Sequence, residues 1–184
     1  LTELAAATVT MSIHARTVLE TVYDVDPGRL VTIPHGVADV PILDPETIKA
    51  GLGLQGRDVI LTFGLLTRRK GVEHMLRALP KIVREHPRAL YAIVGATHPD
   101  TIDGEGERYR QSLEALAASL GMTAHVQFVD HFAGRVELIR WLQAADVVVT
   151  PYTDMDQSVA GTLAAAMGTG RAVVSTPYAY AAEL

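Results

Sequence analysis

The stretch that decides the fold is DQSVAGTLAAAMGTGRAVVSTP, residues 156–177. Small residues open a predicted helix at about 160–168, Gly-Thr-Gly ends it, and the apolar run 171–176 predicts a strand. Just before it, DVVVTP (146–151) predicts a strand that is buried on both faces. A helix between two apolar strands is the repeating unit of a parallel sheet whose two faces are covered by helices.

The same alternation runs back to residue 57. Right-handed crossovers between such units favour an α/β fold, a doubly wound parallel sheet of the Rossmann type. Pro80 is expected to kink or divide the first helix. Strands are predicted at 57–63, 88–95 and 125–130, and helices at 72–86, 106–121 and 135–145.

The part of the chain before residue 57 has a different pattern. Two short strands (5–12 and 28–37) flank a helix (13–23), and a segment rich in Pro, Gly and Asp with one short helix follows. Both ends of the sequence interrupt predicted elements, so we expect a piece of a longer chain. The predicted organisation is the end of an N-terminal domain with its junction at 1–37, a linker at 38–56, and a C-terminal domain at 57–184.

Composition excludes several classes of function. The 184 residues are 48% apolar and 20% charged, as in a soluble globular protein, and the net charge of -5 argues against nucleic acid as a partner. The sequence has no cysteine, which excludes disulfides and thiolate metal sites. No apolar run approaches about 18 residues, so we expect a cytoplasmic protein, with room for a peripheral contact with a membrane.

Two loops carry the chemistry of an anion site. In GLLTRRKG (64–71), Gly64 permits close backbone approach, and Arg69 and Lys70 supply cations. In PYTDMDQSVAG (151–161), small residues lead into a helix whose free amides and dipole favour a phosphate. If strands 57–63 and 146–150 are neighbours, both loops lie at the crevice where the strand order reverses. The alternatives are a solvated charge run and an ordinary helix start.

The whole series resembles a known family, the retaining GT-B glycosyltransferases of the group-1 type. The residues that carry the resemblance are IPHGV (33–37), GLLTRRKG (64–71), YAIVGA (91–96), HVQFVD (125–130), AADVVVTPY (144–152) and AAAMGTGRAVVST (164–176). The resemblance implies half of a GT-B architecture that includes the domain binding a nucleotide-diphosphate sugar donor. It also implies transfer of the sugar, with retention, to a carbohydrate, lipid or small-molecule acceptor, without a metal or other cofactor.

The resemblance also implies roles for individual residues. Lys70 matches the lysine that contacts the donor diphosphate, whereas the usual arginine is Leu65 here, and Arg68 or Arg69 is the candidate to replace it. Gln157 and Ala165 stand where the family has glutamates for the donor sugar and the ribose. The remaining candidates are His131 and Phe132 for the base, and Gly64 with the first helical turn, Ser158, Val159, Ala160, Gly161 and Thr162, for the phosphates.

Loss of both glutamates leaves two alternatives open. One is a catalytically silent GT-B domain that binds a sugar or a protein partner, and the other is a GT-B enzyme with epimerase or phosphorylase chemistry. The pair Asp154 and Asp156 is an Asp-x-Asp of the kind that binds metals elsewhere, but we interpret it as solvated loop acids. The sequence identifies no catalytic residue.

Overall fold

The computed structural model describes residues 4–184, so the first three residues of the predicted N-terminal unit lie outside the described part. The chain begins with two parallel strands, β1 (Thr8–Thr10) and β2 (Leu30–Thr32), joined by helix α1 (Ile13–Thr21). The elements match the prediction, although both strands are shorter than expected. Just beyond β2, the amide of Ile33 still donates to the carbonyl of Thr10 at 2.8 Å.

Five further strands form one parallel sheet with the order β5-β4-β3-β6-β7, which confirms the doubly wound α/β fold. The order reverses between β3 and β6, as predicted. The remaining elements are α2 (Pro45–Leu52), β3 (Asp58–Phe63), α3 (Val72–Glu85), β4 (Ala89–Val94), α4 (Pro99–Glu105), α5 (Arg108–Ser119), β5 (Val126–Val129), α6 (Arg135–Ala144), β6 (Val147–Thr150), α7 (Gly161–Gly168), β7 (Ala172–Ser175) and α8 (Ala179–Glu183).

The main core consists of two apolar layers, one on each face of the sheet. Along β4, Ala92 and Val94 point to the layer beneath α6, whereas Tyr91 and Ile93 point to the layer beneath α3 and α5. The alternation follows from the two-residue period of a strand. Each fully buried large apolar side chain contributes roughly 1.5–3 kcal/mol to folding, so both layers hold the ends of the strands in fixed positions.

The structure differs from the sequence pattern at two helices. Of the two effects expected from Pro80, division of the helix is wrong: α3 continues through Pro80, because Met75, Leu76 and Leu79 are buried and hold the helix on the sheet. The connection between β4 and α5 contains the additional helix α4, whose first turn is capped by the Nδ1 atom of His98. The sequence of α4 is polar and lacks the repeated apolar spacing that predicts a helix, so the sequence did not indicate it.

Helix α2, in the segment predicted as a linker, packs on α6 and is anchored by Lys49. The buried Lys49 ammonium lies 2.6 Å from Glu46 and 2.7 Å from Asp146, and it donates to the Arg57 carbonyl at 2.8 Å. Burial alone would lower the pKa of Lys49, but hydrogen bonds to Asp146 and Glu46 raise it above its ordinary value. The contact fastens α2 to the start of β6.

Within residues 4–184, no helix is both long enough and apolar enough to cross a membrane. The cytoplasmic location stays a prediction.

Candidate functional site

The loops that follow β3 and β6 meet at the carboxyl ends of these neighbouring strands, as the sequence predicted. The amide of Thr153 donates to the carbonyl of Arg69 at 3.0 Å. Gly71 has a φ of 61°, and a Cβ atom there would lie 2.0 Å from the carbonyl oxygen of Pro151. Only glycine permits this approach, so the two loops form one joined floor.

Gly64 brings the backbone of the first loop against two polar side chains. Its φ is 106°, and a Cβ atom would lie 3.3 Å from Thr162 Cγ2 and 3.6 Å from Lys70 Nζ. Gly95, at the end of β4, lies so close to Gly64 that a Cβ atom would be 2.2 Å from the Gly64 carbonyl oxygen. Gly64 was predicted to permit close backbone approach, and in the structure it lies close to other parts of the chain itself.

Lys70 is the central cation of the crevice. Its Nζ donates to the Tyr152 hydroxyl at 2.6 Å and lies 4.1 Å from the centre of the Tyr152 ring. The same hydroxyl lies 2.6 Å from Thr162 Oγ1. Burial, with a smaller contribution from the neighbouring Arg69, lowers the pKa of Lys70 to about 8. At neutral pH the ammonium is thus charged but poorly hydrated, which favours contact with an anion.

A polar compartment of about 330 Å³ opens beside Lys70. Gln157 lies at its wall, with the side-chain amide donating to the Val159 carbonyl at 3.0 Å. Arg69 forms an ion pair with Asp154 at 3.4 Å, so the predicted cation is partly neutralised. The lining residues are Gly64, Leu65, Thr67, Arg69, Lys70, His98, Asp154, Gln157 and Thr162.

An apolar compartment of about 280 Å³ lies on the other side of Gly64. Phe132 lies at the edge of this compartment. Its side chain is 75% exposed, so the ring is not part of the core. Ala165 forms part of the wall, and its small side chain leaves the space open. The two compartments share Gly64, Leu65 and Thr162, so they adjoin each other at these residues. The other lining residues are Phe63, Val94, Gly95, Ala133, Leu138 and Gly161.

Several predicted residues stand apart from the two compartments. The His131 imidazole pairs with Glu137 at 2.8 Å and lines neither compartment. Ser158, Val159 and Ala160 also line neither, because α7 begins at Gly161 and not at residue 158.

The segment before α7 is bonded to α8. The amides of Ala179 and Tyr180 on α8 donate to the carbonyls of Met155 and Gln157, at 2.8 and 3.1 Å. Helix α7 runs from Gly161 to Gly168, which confirms the predicted helix at about 160–168, whereas the helical turn predicted at 158–160 is wrong.

The sequence did not predict a role for Tyr152, although a tyrosine directly after a buried strand and a proline is an available signal. Arg68 turns away from the crevice to Glu105, at 2.6 Å, which leaves Arg69 as the nearer of the two arginines. Among the described residues, no group of three or more His, Cys, Asp or Glu side chains is arranged to hold a metal ion.

A parallel sheet with its crevice at the reversal of strand order defines a Rossmann-like domain. The chain belongs to the group 1 glycosyl transferases, because the family described as "Glycosyl transferases group 1" matches residues 57–184.

Two curated relatives illustrate the family. D-inositol 3-phosphate glycosyltransferase of Frankia alni is 33% identical over 137 residues, which cover 70% of this chain and 32% of that protein. A GDP-mannose-dependent phosphatidylinositol monomannoside mannosyltransferase of Mycolicibacterium smegmatis is 36% identical over 105 residues, 55% of this chain and 25% of that protein. This chain therefore spans about a third or less of the length of these relatives.

Solved structures show the same fold. HepE of Anabaena, in complex with UDP and glucose, matches with a TM-score of 0.79 and 20% identity, over 99% of this chain and 47% of that one. WaaG, a glycosyltransferase involved in lipopolysaccharide biosynthesis, matches with a TM-score of 0.74 and 22% identity, over 95% of this chain and 45% of that one.

Proposed function

We propose that this chain binds the nucleotide-diphosphate sugar donor of a glycosyltransferase that transfers a hexose, with retention, to a carbohydrate, lipid or small-molecule acceptor. The observation that carries the proposal is the position of Lys70. Its half-buried ammonium lies beside Gly64 and Thr162, the residues shared by a polar and an apolar compartment. The groups of a nucleotide sugar follow the same order as these features of the crevice. Its diphosphate lies between a polar sugar and a less polar nucleoside, as Lys70 lies between the polar and the apolar compartment.

The diphosphate would lie at the border between the compartments. Lys70 supplies a positive charge there, and Thr162 supplies a hydroxyl in the first turn of α7. The free amides of that turn and the helix dipole also favour a negative charge. Because water reaches Lys70 poorly, a charge-assisted contact with phosphate would be stronger than one at the open surface.

The two ends of the donor would occupy the two compartments. The exposed ring of Phe132 offers a surface on which a base can stack, at the edge of an apolar wall. Gln157, Asp154 and His98 offer donors and acceptors for sugar hydroxyls in the polar compartment. The complexes of HepE with UDP-glucose and with UDP and glucose support this donor class, because that protein shares the fold.

In the transfer, the bond between the anomeric carbon and the diphosphate oxygen breaks, and the acceptor hydroxyl oxygen forms the new bond to that carbon. The nucleoside diphosphate leaves with the bonding electron pair, and an oxygen of its departing phosphate accepts the proton that the acceptor hydroxyl loses. Lys70 would stabilise the negative charge that develops on the leaving oxygen. Gln157 can bond to sugar hydroxyls, but its neutral amide adds no charge near an oxocarbenium-like carbon.

A second candidate is a domain that binds the donor or a sugar without catalysing transfer. The observation that favours it is Ala165, whose methyl group cannot hydrogen-bond any part of a nucleoside in the apolar compartment. In this case nucleotide binding would not be followed by turnover.

Calorimetry of the full-length protein with UDP-, GDP- and ADP-sugars tests the proposal. We expect one nucleotide series to bind and Lys70→Met to weaken binding by about 2 kcal/mol or more, as for a charge-assisted contact. The matched control is Lys81→Met, since Lys81 is exposed on α3, roughly 13 Å along the helix from its first residue. Absence of binding to every nucleotide would contradict the proposal, and binding without release of nucleoside diphosphate would favour the silent domain.

A further inference from the structure

Tyr152 lies directly beneath the crevice without lining it. The residue is fully buried, and its ring stacks on Tyr178, with 5.1 Å between ring centres and an interplanar angle of 19°. Tyr178 is also fully buried, and its hydroxyl lies 3.3 Å from Thr150 Oγ1. The stack and the surrounding core therefore fix the place of the Tyr152 ring.

The Tyr152 hydroxyl joins two groups that face the crevice. It lies 2.6 Å from Lys70 Nζ and 2.6 Å from Thr162 Oγ1. An ammonium only donates, so the tyrosine oxygen accepts from Lys70. In the arrangement that uses every hydrogen, Tyr152 donates to Thr162, and the hydrogen of Thr162 is left to donate into the crevice. Lysine has a flexible stem, so a fixed acceptor restricts where its charge lies.

We propose that Tyr152 is a positioning residue for the diphosphate, with its buried hydroxyl aligning Lys70 and Thr162 as paired donors. This inference rests on the proposed function, because it assigns the ligand of Lys70. Tyr152 touches neither compartment, so it acts only through the two residues that it holds.

The test is Tyr152→Phe in the full-length protein, with inorganic pyrophosphate as the probe because it has no base or sugar. The matched control is Tyr178→Phe, which also removes one buried hydroxyl from the same stack. We expect Tyr152→Phe to weaken pyrophosphate binding about five- to tenfold, the usual effect of one lost hydrogen bond in such a network. Tyr178→Phe should leave the affinity unchanged.

A pH profile separates positioning from a loss of stability. Wild-type affinity should fall as Lys70 loses its proton, and burial and Arg69 lower the pKa of Lys70 to about 8. Tyr152→Phe removes the hydroxyl that accepts a hydrogen bond from the charged Lys70 ammonium, which favours the neutral amine. The affinity for pyrophosphate should therefore fall at a lower pH in Tyr152→Phe than in the wild type. The other charged or titratable groups of the polar compartment are Arg69, Asp154 and His98, which the substitution leaves in place. The titration of pyrophosphate itself is common to both proteins.

Unchanged affinity together with an unchanged pH midpoint would overturn the inference. If Lys70→Met weakens binding and Tyr152→Phe does not, the inference alone fails. If Lys70→Met also has no effect, the proposed function fails with it. Thr162→Val gives an independent measurement should the phenylalanine variant not fold. This substitution removes the hydroxyl that Tyr152 bonds, so it should also weaken pyrophosphate binding. If Thr162→Val binds pyrophosphate as tightly as the wild type, the proposal is overturned.

Discussion

Replacing Lys70 with methionine is expected to stabilise the folded chain while it weakens anion binding. Burial, with a contribution from Arg69, lowers the pKa of Lys70 from 10.5 to about 8. At about 1.4 kcal/mol per pKa unit, this lowering corresponds to at most about 3.5 kcal/mol, and residual contact with water reduces the expected gain to about 1–2 kcal/mol. Methionine fills a similar space, and the Tyr152 hydroxyl keeps Thr162 as a partner.

The gain should depend on pH in a defined direction. Below pH 8 both the folded and the unfolded chain hold the Lys70 proton, so the folded state carries the whole unfavourable contribution. Between pH 8 and 10.5 the folded state releases the proton while the unfolded state keeps it. Wild-type stability therefore rises through this window, relative to Lys70→Met, and the advantage of methionine shrinks.

Urea unfolding of the full-length wild type and variant, at neutral pH and near pH 10, measures this difference. Lys81→Met serves as the control, because an exposed lysine should show little effect at either pH. If Lys70→Met is no more stable than the wild type at neutral pH, the argument that burial of the charged Lys70 ammonium destabilises the folded chain is refuted. A gain that does not change with pH would show that packing, and not charge, is responsible.

Three further predictions concern the walls of the crevice. Phe132→Ala should weaken nucleoside diphosphate binding about five- to tenfold while it leaves pyrophosphate binding and thermal stability unchanged, because the ring is exposed; a parallel loss for both ligands would contradict base stacking. Ala165→Leu should fill the apolar compartment and abolish nucleoside diphosphate binding with pyrophosphate binding retained, as calorimetry with both ligands can show. Gly95→Ala should destabilise the chain by more than about 2 kcal/mol in thermal unfolding, because its Cβ would lie 2.2 Å from the Gly64 carbonyl oxygen. Gly104→Ala, with open space around it inside α4, should be neutral or slightly stabilising.

The sheet could be predicted from sequence because its signal is local and repeated. Each strand is a short apolar run, each helix has apolar residues at helical spacing, and handedness restricts how the units connect. The crevice followed from the same reasoning, since the reversal of strand order brings the loops after β3 and β6 together. The sequence therefore predicted that Gly64 and Lys70 lie at this crevice, and in the structure both line its polar compartment.

What the sequence could not supply depends on contacts between distant residues. Met155 and Gln157 are bonded to α8, more than twenty residues later, and the small residues at 158–160 precede the helix instead of forming its first turn. His131 is engaged by Glu137 six residues later, which no motif indicates. In the sequence, Tyr152 looks like an apolar residue at the end of a strand. In the structure, its hydroxyl lies between Lys70 and Thr162, a contact that depends on the tertiary fold.

The joined floor of the crevice has a consequence for how ligands can be compared. The bond from Thr153 to Arg69 and the close approach of Gly71 to Pro151 tie the two loops to each other through the backbone, so the loops have little freedom to lose when a ligand binds. When flexible loops become ordered on ligand binding, the lost entropy costs about 0.5–1.5 kcal/mol for each immobilised side chain. Ligand binding to these joined loops should avoid most of that cost. Differences in affinity among pyrophosphate, nucleoside diphosphates and nucleotide sugars should therefore report the added chemical groups themselves, as in a fragment series on a rigid receptor.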